Sequence, residues 1–541
     1  MSLVRISKIY LEKKIELNKL SNLKPINWIA ILLIIIGIAS RLSPLFDVEH
    51  RIFWQLMTED GYLMQTIARN MAIGLGMSTA EGTLPTNGVQ PLATIIFAAL
   101  HYIADGSKQL GIIYVTVFST LVALSATWLL RGLNLVLFKS WHISSNIAFL
   151  SAALWFASPL IIKHSMNGLE TGLYYLAIIA TLFCYFSLDL KYNQAMSNRQ
   201  RVVLGILFGL TFLARNDAVF FIAALLIAHV VSSNGFLFEG IKHRLLDAII
   251  AGFTSILVGL PWLIYNQLNF GSIVPMSGKA ESHAAVLGEN LMMIPANTLE
   301  AALVYFPIPG RIEQSLSVFI ISTIILTALC MIFWKLFASK SLNAKRFFVT
   351  TYIFTVCICG YYGMLFGAAW FVTRYLSALS PMLWLISFMV IYVLLCSIFN
   401  KQQFTRVFIF GASLLIVISA VSELLIYQKG VSGMHKPVVE WAVNNVDKQV
   451  WVGAAQTGTL GYFHDRTINL DGKTNLNALQ AVLEQGQVLS YILDKTDIQY
   501  IVDWQGICGW TNEKKEPRFA VQFKVIVSDS VKNLCVIQRN K

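Results

Sequence analysis

Charge is what these 541 residues have least of. Asp, Glu, Lys and Arg make up only 13% of the chain, where soluble domains carry about 25%. With 56% hydrophobic residues and a mean hydropathy of +0.63, the chain cannot be a string of soluble domains, although it is long enough for several. Acidic residues are scarcer still, 29 against 41 Lys and Arg, which leaves a net charge of +12. That surplus sits in short loops between apolar runs and forms no stripe, so it orients helices and nucleic acid is excluded as a partner. Cysteine is sparse too. Five of the seven (Cys184, Cys330, Cys357, Cys359, Cys396) lie inside apolar segments and read as small core residues. Cys357 and Cys359 would point about 200° apart around a helix, a poor metal pair. No His/Cys cluster, internal repeat or low-complexity segment is present, and His101, His142 and His243 stand isolated. A glycine-rich, phosphate-cradling loop is also missing from the inner side, which argues against a nucleotide-sugar donor or ATP. The first apolar run lacks a small-residue cleavage site and runs straight into an acidic loop, so it reads as a retained span.

What is present in quantity is apolar sequence long enough to cross a bilayer. The spans read 28–46, 110–133, 146–162, 171–189, 202–215, 218–233, 246–265, 317–336, 347–366, 377–398 and 407–427, about eleven in all for a hydrocarbon core of about 30 Å. With the N-terminus inside, about 19 basic residues fall inside against about 8 outside. The run 91–104 would reverse every later loop if it crossed, so it reads as an interfacial or re-entrant helix. Arg215-Asn216-Asp217 interrupts 202–231. One continuous helix would bury that charge at a cost of about 2.5–3.5 kcal/mol per residue, so two short helices and a polar turn are expected. The chain then divides into a cytoplasmic basic arm (1–27), a transmembrane domain (28–429) with large outer loops at 47–109 and 266–316, and a tail (430–541). The tail changes composition sharply. Strands are expected at 450–454, 467–470, 499–502, 521–527 and 534–537, and helices at 438–445 and 477–483, making a small α/β domain outside the membrane.

The first outer loop carries Thr58-Glu59-Asp60-Gly61-Tyr62, Ala68-Arg69-Asn70, Gly74-Leu75-Gly76 and Pro85-Thr86-Asn87-Gly88-Val89-Gln90-Pro91-Leu92. Adjacent carboxylates at a helix start are favoured by the helix N-terminus; taken alone, the pair fits a simple cap as well as a catalytic role. The order of these elements resembles the first outer loop of the GT-C glycosyltransferases, in particular bacterial multi-pass enzymes with Asp-Asp-Ala-Tyr and Asn-Gly-x-His-Pro-Leu. Glu59 stands where the first Asp is usual, Gln90 where His is common, and Thr66 where an Arg is often found. The resemblance continues through Asn167-Gly168-Leu169-Glu170-Thr171, Ala214-Arg215-Asn216-Asp217-Ala218, Tyr265-Asn266, Ser277-Gly278-Lys279-Ala280, Arg374-Tyr375, Gly458-Thr459-Leu460-Gly461-Tyr462-Phe463 and Asn469-Leu470-Asp471-Gly472. The charge-based topology puts all of these on one face.

The resemblance implies an α-helical polytopic GT-C-like protein that takes sugar from a polyprenyl-phosphate donor and gives it to a lipid, glycan or protein acceptor. It places the chain in the inner membrane with the tail in the periplasm. A sugar on a lipid phosphate already has a good leaving group, so the need is a base for the acceptor hydroxyl. Asp60 aligns best with that role and Glu59 is second; single displacement inverts the anomeric centre. Arg69, Arg215, Lys279 and Arg374 are the cations for the donor phosphate. Arg215 and Arg374 would equally serve structural ion pairs with Asp217 or Glu170, and Lys279 an ordinary solvated loop. Tyr62, Asn87, Gln90, Asn167, Glu170, Tyr265 and Tyr375 are the substrate-binding candidates. No cofactor is implied with certainty, and a divalent metal remains an option. A lipid transporter or flippase, a glycan ligase or polymerase, and a non-catalytic envelope-assembly protein are the alternatives. Only one polar break interrupts the spans, where a transporter would show a matched pair. Cys508 and Cys535, in the tail, make a disulfide candidate in an oxidising compartment.

Overall fold

A computed structural model describes residues 24–191, 194–231, 238–310, 312–429, 435–512, 514 and 516–540. Residues 1–23 of the expected basic arm and the expected domain boundary at 430 lie outside the described residues.

Each expected span coincides with a helix. Among the described residues, six helices are long and apolar enough to cross a membrane: Ile26–Phe46, Lys108–Leu137, Ile241–Phe270, Leu316–Ala338, Leu342–Met364 and Ala369–Ile398. The pair Ser145–Ala157 and Pro159–Ser165 makes a seventh if counted together, bent by 60°. The break falls at Ser158-Pro159, where proline cannot supply the amide that would continue the helix and Ser158 caps the next one. Thr171–Ser187, Ala218–Val231 and Ile409–Leu425 are apolar but shorter. Of the eleven expected crossings, six or seven thus correspond to helices of full length, and 171–189, 202–215, 218–233 and 407–427 to helices without that length or apolar character among the described residues. Pro91–Ile103 is also a short helix.

The polar interruption divides its helices as the charge cost requires. Asn198–Ala214 ends where Arg215 turns extended (φ −157°, ψ 133°), and Ala218–Val231 begins after Asp217. One buried core runs through the bundle, from Leu33 through Trp155, Tyr174 and Phe208 to Met389. In the first outer loop a two-stranded ribbon, β1 (Ser78–Thr79) with β2 (Leu84–Pro85), is antiparallel.

The tail holds β3 (Val452–Ala454), β4 (Thr467–Asn469), β5 (Tyr500–Asp503), β6 (Phe523–Asp529) and β7 (Leu534–Arg539), paired in the order β4-β3-β5-β7-β6. β3 runs parallel to β4 and β5, and β7 antiparallel to β5 and β6. All five expected strands are present. The expected helices are Lys436–Asn445 and Leu476–Gln485, and Gly458–Phe463 and Leu489–Lys495 join them. Apolar clusters pack both sides of the sheet, which explains the short continuous apolar strands in the sequence. Cys508 and Cys535 are disulfide-bonded.

The tail docks on the first outer loop. Tyr462 is buried against Tyr62 and donates to the carbonyl of Lys108 (2.6 Å). Asp465 pairs with Lys108 (3.0 Å) and Arg69 (3.4 Å), and Arg466 with Glu81 (2.7 Å). At two points the backbones approach so closely that only glycine fits: a Cβ on Gly458 would collide with the Glu59 carbonyl, and one on Gly88 with the Lys473 carbonyl.

Candidate active site

The acidic pair is fixed by its helix start. Thr58 caps Glu59–Ala72, accepting from the Gly61 amide (3.2 Å), while its hydroxyl and amide both donate to the Asn167 carbonyl (3.0 and 3.2 Å). This anchors the helix to the loop before Glu170 and sends the two carboxylates in different directions. Glu59 accepts the Gly458 amide of the tail. Asp60 instead lines a cavity of about 360 Å³ and accepts from Arg374 Nη1 at 2.7 Å.

Their protonation differs accordingly. Burial, then the neighbouring Asp60 charge, push Glu59 well above the usual carboxylate range despite the Gly458 amide. Burial would raise Asp60 too, but the Arg374 and Lys473 charges outweigh it and hold Asp60 below its ordinary value. The two neighbours are thus pushed in opposite directions, Asp60 toward its ionised form and Glu59 toward its protonated one.

The polar turn lines the same cavity. Arg215 makes a two-pronged pair with Asp217 (3.1 and 2.6 Å) and donates to the Tyr362 hydroxyl (3.1 Å), which in turn donates to Asp217 (2.6 Å). Glu170 lies 3.6 Å from Arg215 Nη1. Tyr375 joins the two arginines: it stacks on Tyr362 at 4.4 Å, lies under Arg215 at 4.6 Å, and accepts from Arg374 (3.1 Å). Four buried polar atoms of cavity-lining residues have no hydrogen-bond partner among the described residues: Arg215 Nη1, Arg374 Nε, Asn216 Oδ1 and Gln90 Oε1. Buried donors left unpaired are costly, so this cavity is built to receive a polar ligand. Leu63, Val219, Phe220 and Val274 give it an apolar flank as well.

No protein-family model matches the sequence, and no curated protein matches it. Solved structures do. ArnT from Cupriavidus metallidurans, bound to undecaprenyl phosphate, superposes with a TM-score of 0.57 over 94% of this chain and 97% of that one, at 11% identity. The oligosaccharyltransferase AglB from Archaeoglobus fulgidus, in complex with an inhibitory peptide and a dolichol-phosphate, gives 0.55 over 92% of this chain and 72% of that one, at 13% identity. The chain has the GT-C fold.

Within this GT-C fold the candidates from the sequence separate into two groups. Asp60, Gln90, Glu170, Arg215, Arg374 and Tyr375 converge on the cavity. The others hold its walls. Arg69 donates to the Gly106 carbonyl (2.8 Å) and faces Asp465, at the docked tail. Asn87 is buried, donates to Asn266 (3.1 Å) and accepts the Met276 amide (3.0 Å), tying the two outer loops together. Asn167 supplies the carbonyl under Thr58, and its side chain accepts the Leu169 amide (3.0 Å). Tyr62 is buried and donates to the Phe53 carbonyl. Tyr265 stacks on Trp262 at 5.6 Å, and Lys279 is half-buried on Met276–His283; neither lines the cavity.

Several cavity residues carried no role from the sequence: Glu281, Tyr362, Phe371 and Lys473. Asp217, expected only as an ion-pair partner, does pair with Arg215, and Tyr362 becomes recognisable once that pair is placed. Lys473 directly follows Asn469-Leu470-Asp471-Gly472, and a lysine after a Gly turn in the tail was the available signal. Among the described residues no three His, Cys, Asp or Glu side chains converge as a metal site would require.

Proposed function

We propose that the chain is an inverting glycosyltransferase, moving a sugar from a polyprenyl-phosphate donor to an acceptor hydroxyl on the outer membrane face, with Asp60 as the base. The observation that carries this is Asp60, paired with Arg374 at 2.7 Å, in a cavity that the Arg374 and Arg215 guanidiniums line together with an apolar flank. Arg215 Nη1 and Arg374 Nε take the donor phosphate oxygens, and Glu170 and Gln90 take sugar hydroxyls. The polyprenyl chain lies along Val219, Phe220 and Val274. The acceptor oxygen attacks the anomeric carbon, its proton passes to Asp60, and the bond from that carbon to the phosphate oxygen breaks with its electrons left on the phosphate. Glu59, turned to the tail, joins that domain to the catalytic helix. The fold it shares with ArnT and AglB, solved with undecaprenyl phosphate and dolichol-phosphate, supports a lipid-phosphate substrate. In this reading the N-terminus is cytoplasmic, the tail periplasmic and the membrane the inner one; the acceptor is a lipid, a glycan or a protein.

The test uses purified protein and radiolabelled polyprenyl-phosphate sugars. Wild type releases free polyprenyl phosphate and Asp60→Asn does not. Loss with Glu59→Gln alone would move the base to Glu59. No turnover with any donor, and lipid binding unchanged in all three forms, would overturn the enzyme reading.

A further inference from the structure

We propose that Lys473, brought in by the tail, is the cation that receives the departing phosphate, and that Glu281 holds it in reserve between turnovers. This rests on the glycosyltransferase reading above. In that reaction one negative charge changes place. A phosphodiester with a single charge and an ionised Asp60 become a phosphate monoester with two charges and a protonated Asp60. The guanidiniums that line the cavity are poorly placed to follow it. Arg215 is gripped by both oxygens of Asp217, and Arg374 lies against the Phe371 and Tyr375 rings at 4.5 and 5.0 Å.

Lys473 is held more loosely, by single carboxylate oxygens. Its ammonium enters the same cavity on a flexible four-carbon stem. Its nearest anion is Glu281 Oε1 at 3.0 Å, with Asp471 farther away at 3.8 Å and the Phe371 ring at 5.5 Å. An ammonium has three N–H groups, and Glu281 occupies one of them. The backbone behind it is fixed: the Lys473 amide donates to Asp471 (2.9 Å) and its carbonyl packs on Gly88. A firm base with a mobile head lets the cation leave Glu281 as charge builds on the phosphate. Glu281 lies on Met276–His283 in the second outer loop, so the ion pair also joins that loop to the tail while the cavity is empty.

Equilibrium binding of polyprenyl phosphate to the full-length protein, with inorganic phosphate as a second probe for the headgroup alone, tests this. Lys473→Met is expected to weaken binding about tenfold or more, and Lys473→Arg by less than about threefold. Glu281→Gln frees the lysine and is expected to tighten binding about threefold. A mere latch between loop and tail would make Lys473→Met and Glu281→Gln change binding in the same direction, and that result overturns the proposal. If Lys473→Met does not fold, as read by thermal unfolding, the sign of the Glu281→Gln effect decides alone. Turnover separates the two readings. Transfer that Asp60→Asn abolishes, with product binding untouched in Lys473→Met, sinks this proposal and leaves the enzyme standing. Opposite-sign binding effects without any transfer leave Lys473 a cation for a lipid phosphate but overturn the glycosyltransferase reading, and with it any departing phosphate.

Discussion

The helix Asn198–Ala214 carries a buried arginine at each end, and the two live differently. Arg201, in its first turn, donates to Asp247 at 2.7 Å; Asp247 also accepts the Met196 amide (3.1 Å) and meets His229 (3.3 Å), which in turn contacts the Tyr185 hydroxyl (2.9 Å). Arg215, fourteen residues and about 21 Å farther along, pairs just as closely with Asp217 but lines a cavity and leaves Nη1 without a hydrogen bond, 3.6 Å from Glu170. Both are arginine–aspartate pairs taken out of water. What separates them is the polar group left over and the space next to it. A buried ion pair is thus weak evidence for a site, and an unfilled donor facing a cavity is stronger.

The largest effect that would sharpen this contrast is at Asp60. Asp60→Asn should reduce transfer by about 10²–10⁴-fold while thermal unfolding stays near wild type; an equal loss of both would make Asp60 a structural residue. Next come the two arginines. Arg201→Gln leaves a buried carboxylate short of its counter-charge, so it should cost about 3–5 kcal/mol of stability, with kcat/KM per folded molecule unchanged. Arg215→Gln should also destabilise, but its folded fraction should lose donor binding by about tenfold or more. If both variants lost only stability, the distinction drawn between the helix ends would collapse.

The pH dependence is a subtler check. Asp60 acts ionised and its folded value lies below the ordinary carboxylate range, so the acid limb of kcat/KM should fall below that range as well. Its pairing also stabilises the fold above the unfolded value, a contribution lost as pH falls through the folded one. Arg374→Gln should shift the acid limb upward; an unmoved limb would mean that Arg374 does not set the charge of Asp60. The smallest effect belongs to the tail. Cys508→Ser with Cys535→Ser should lower the tail's stability by about 2–4 kcal/mol and change turnover at low temperature little, as followed by thermal unfolding and radiolabel release.

Much of this was legible in the sequence because charge is costly in a bilayer. The break at Arg215-Asn216-Asp217, the short helix from Pro91 and the five tail strands follow from that cost and from strand periodicity. Of the candidate residues, Asp60, Gln90, Glu170, Arg215, Arg374 and Tyr375 meet at the cavity. Arg69 sits in the same helix as Asp60, yet nine residues turn it toward Asp465, and no periodicity reveals that the tail waits there. Asn87 reads as a ligand by its motif and proves to be a tie between loops, since a side-chain amide serves either purpose. Lys473 is hardest to see: its partners Glu281 and Asp60 are some 190 and 410 residues away, a pairing set only by tertiary packing.

The contacts of Gly458 with Glu59 and of Lys473 with Gly88 have a consequence for biogenesis. The carboxylates and the first loop leave the ribosome some four hundred residues before the segments that complete their surroundings. Synthesis at about 5–20 residues per second leaves a half-made protein in the membrane for tens of seconds, its catalytic helix in place and its tail contacts absent. Competence thus arrives late, when 458–473 folds onto the loop. If the proposed reaction holds, a nascent chain cannot spend donor lipid before it is nearly whole, and a chain truncated before that segment would be inserted yet idle.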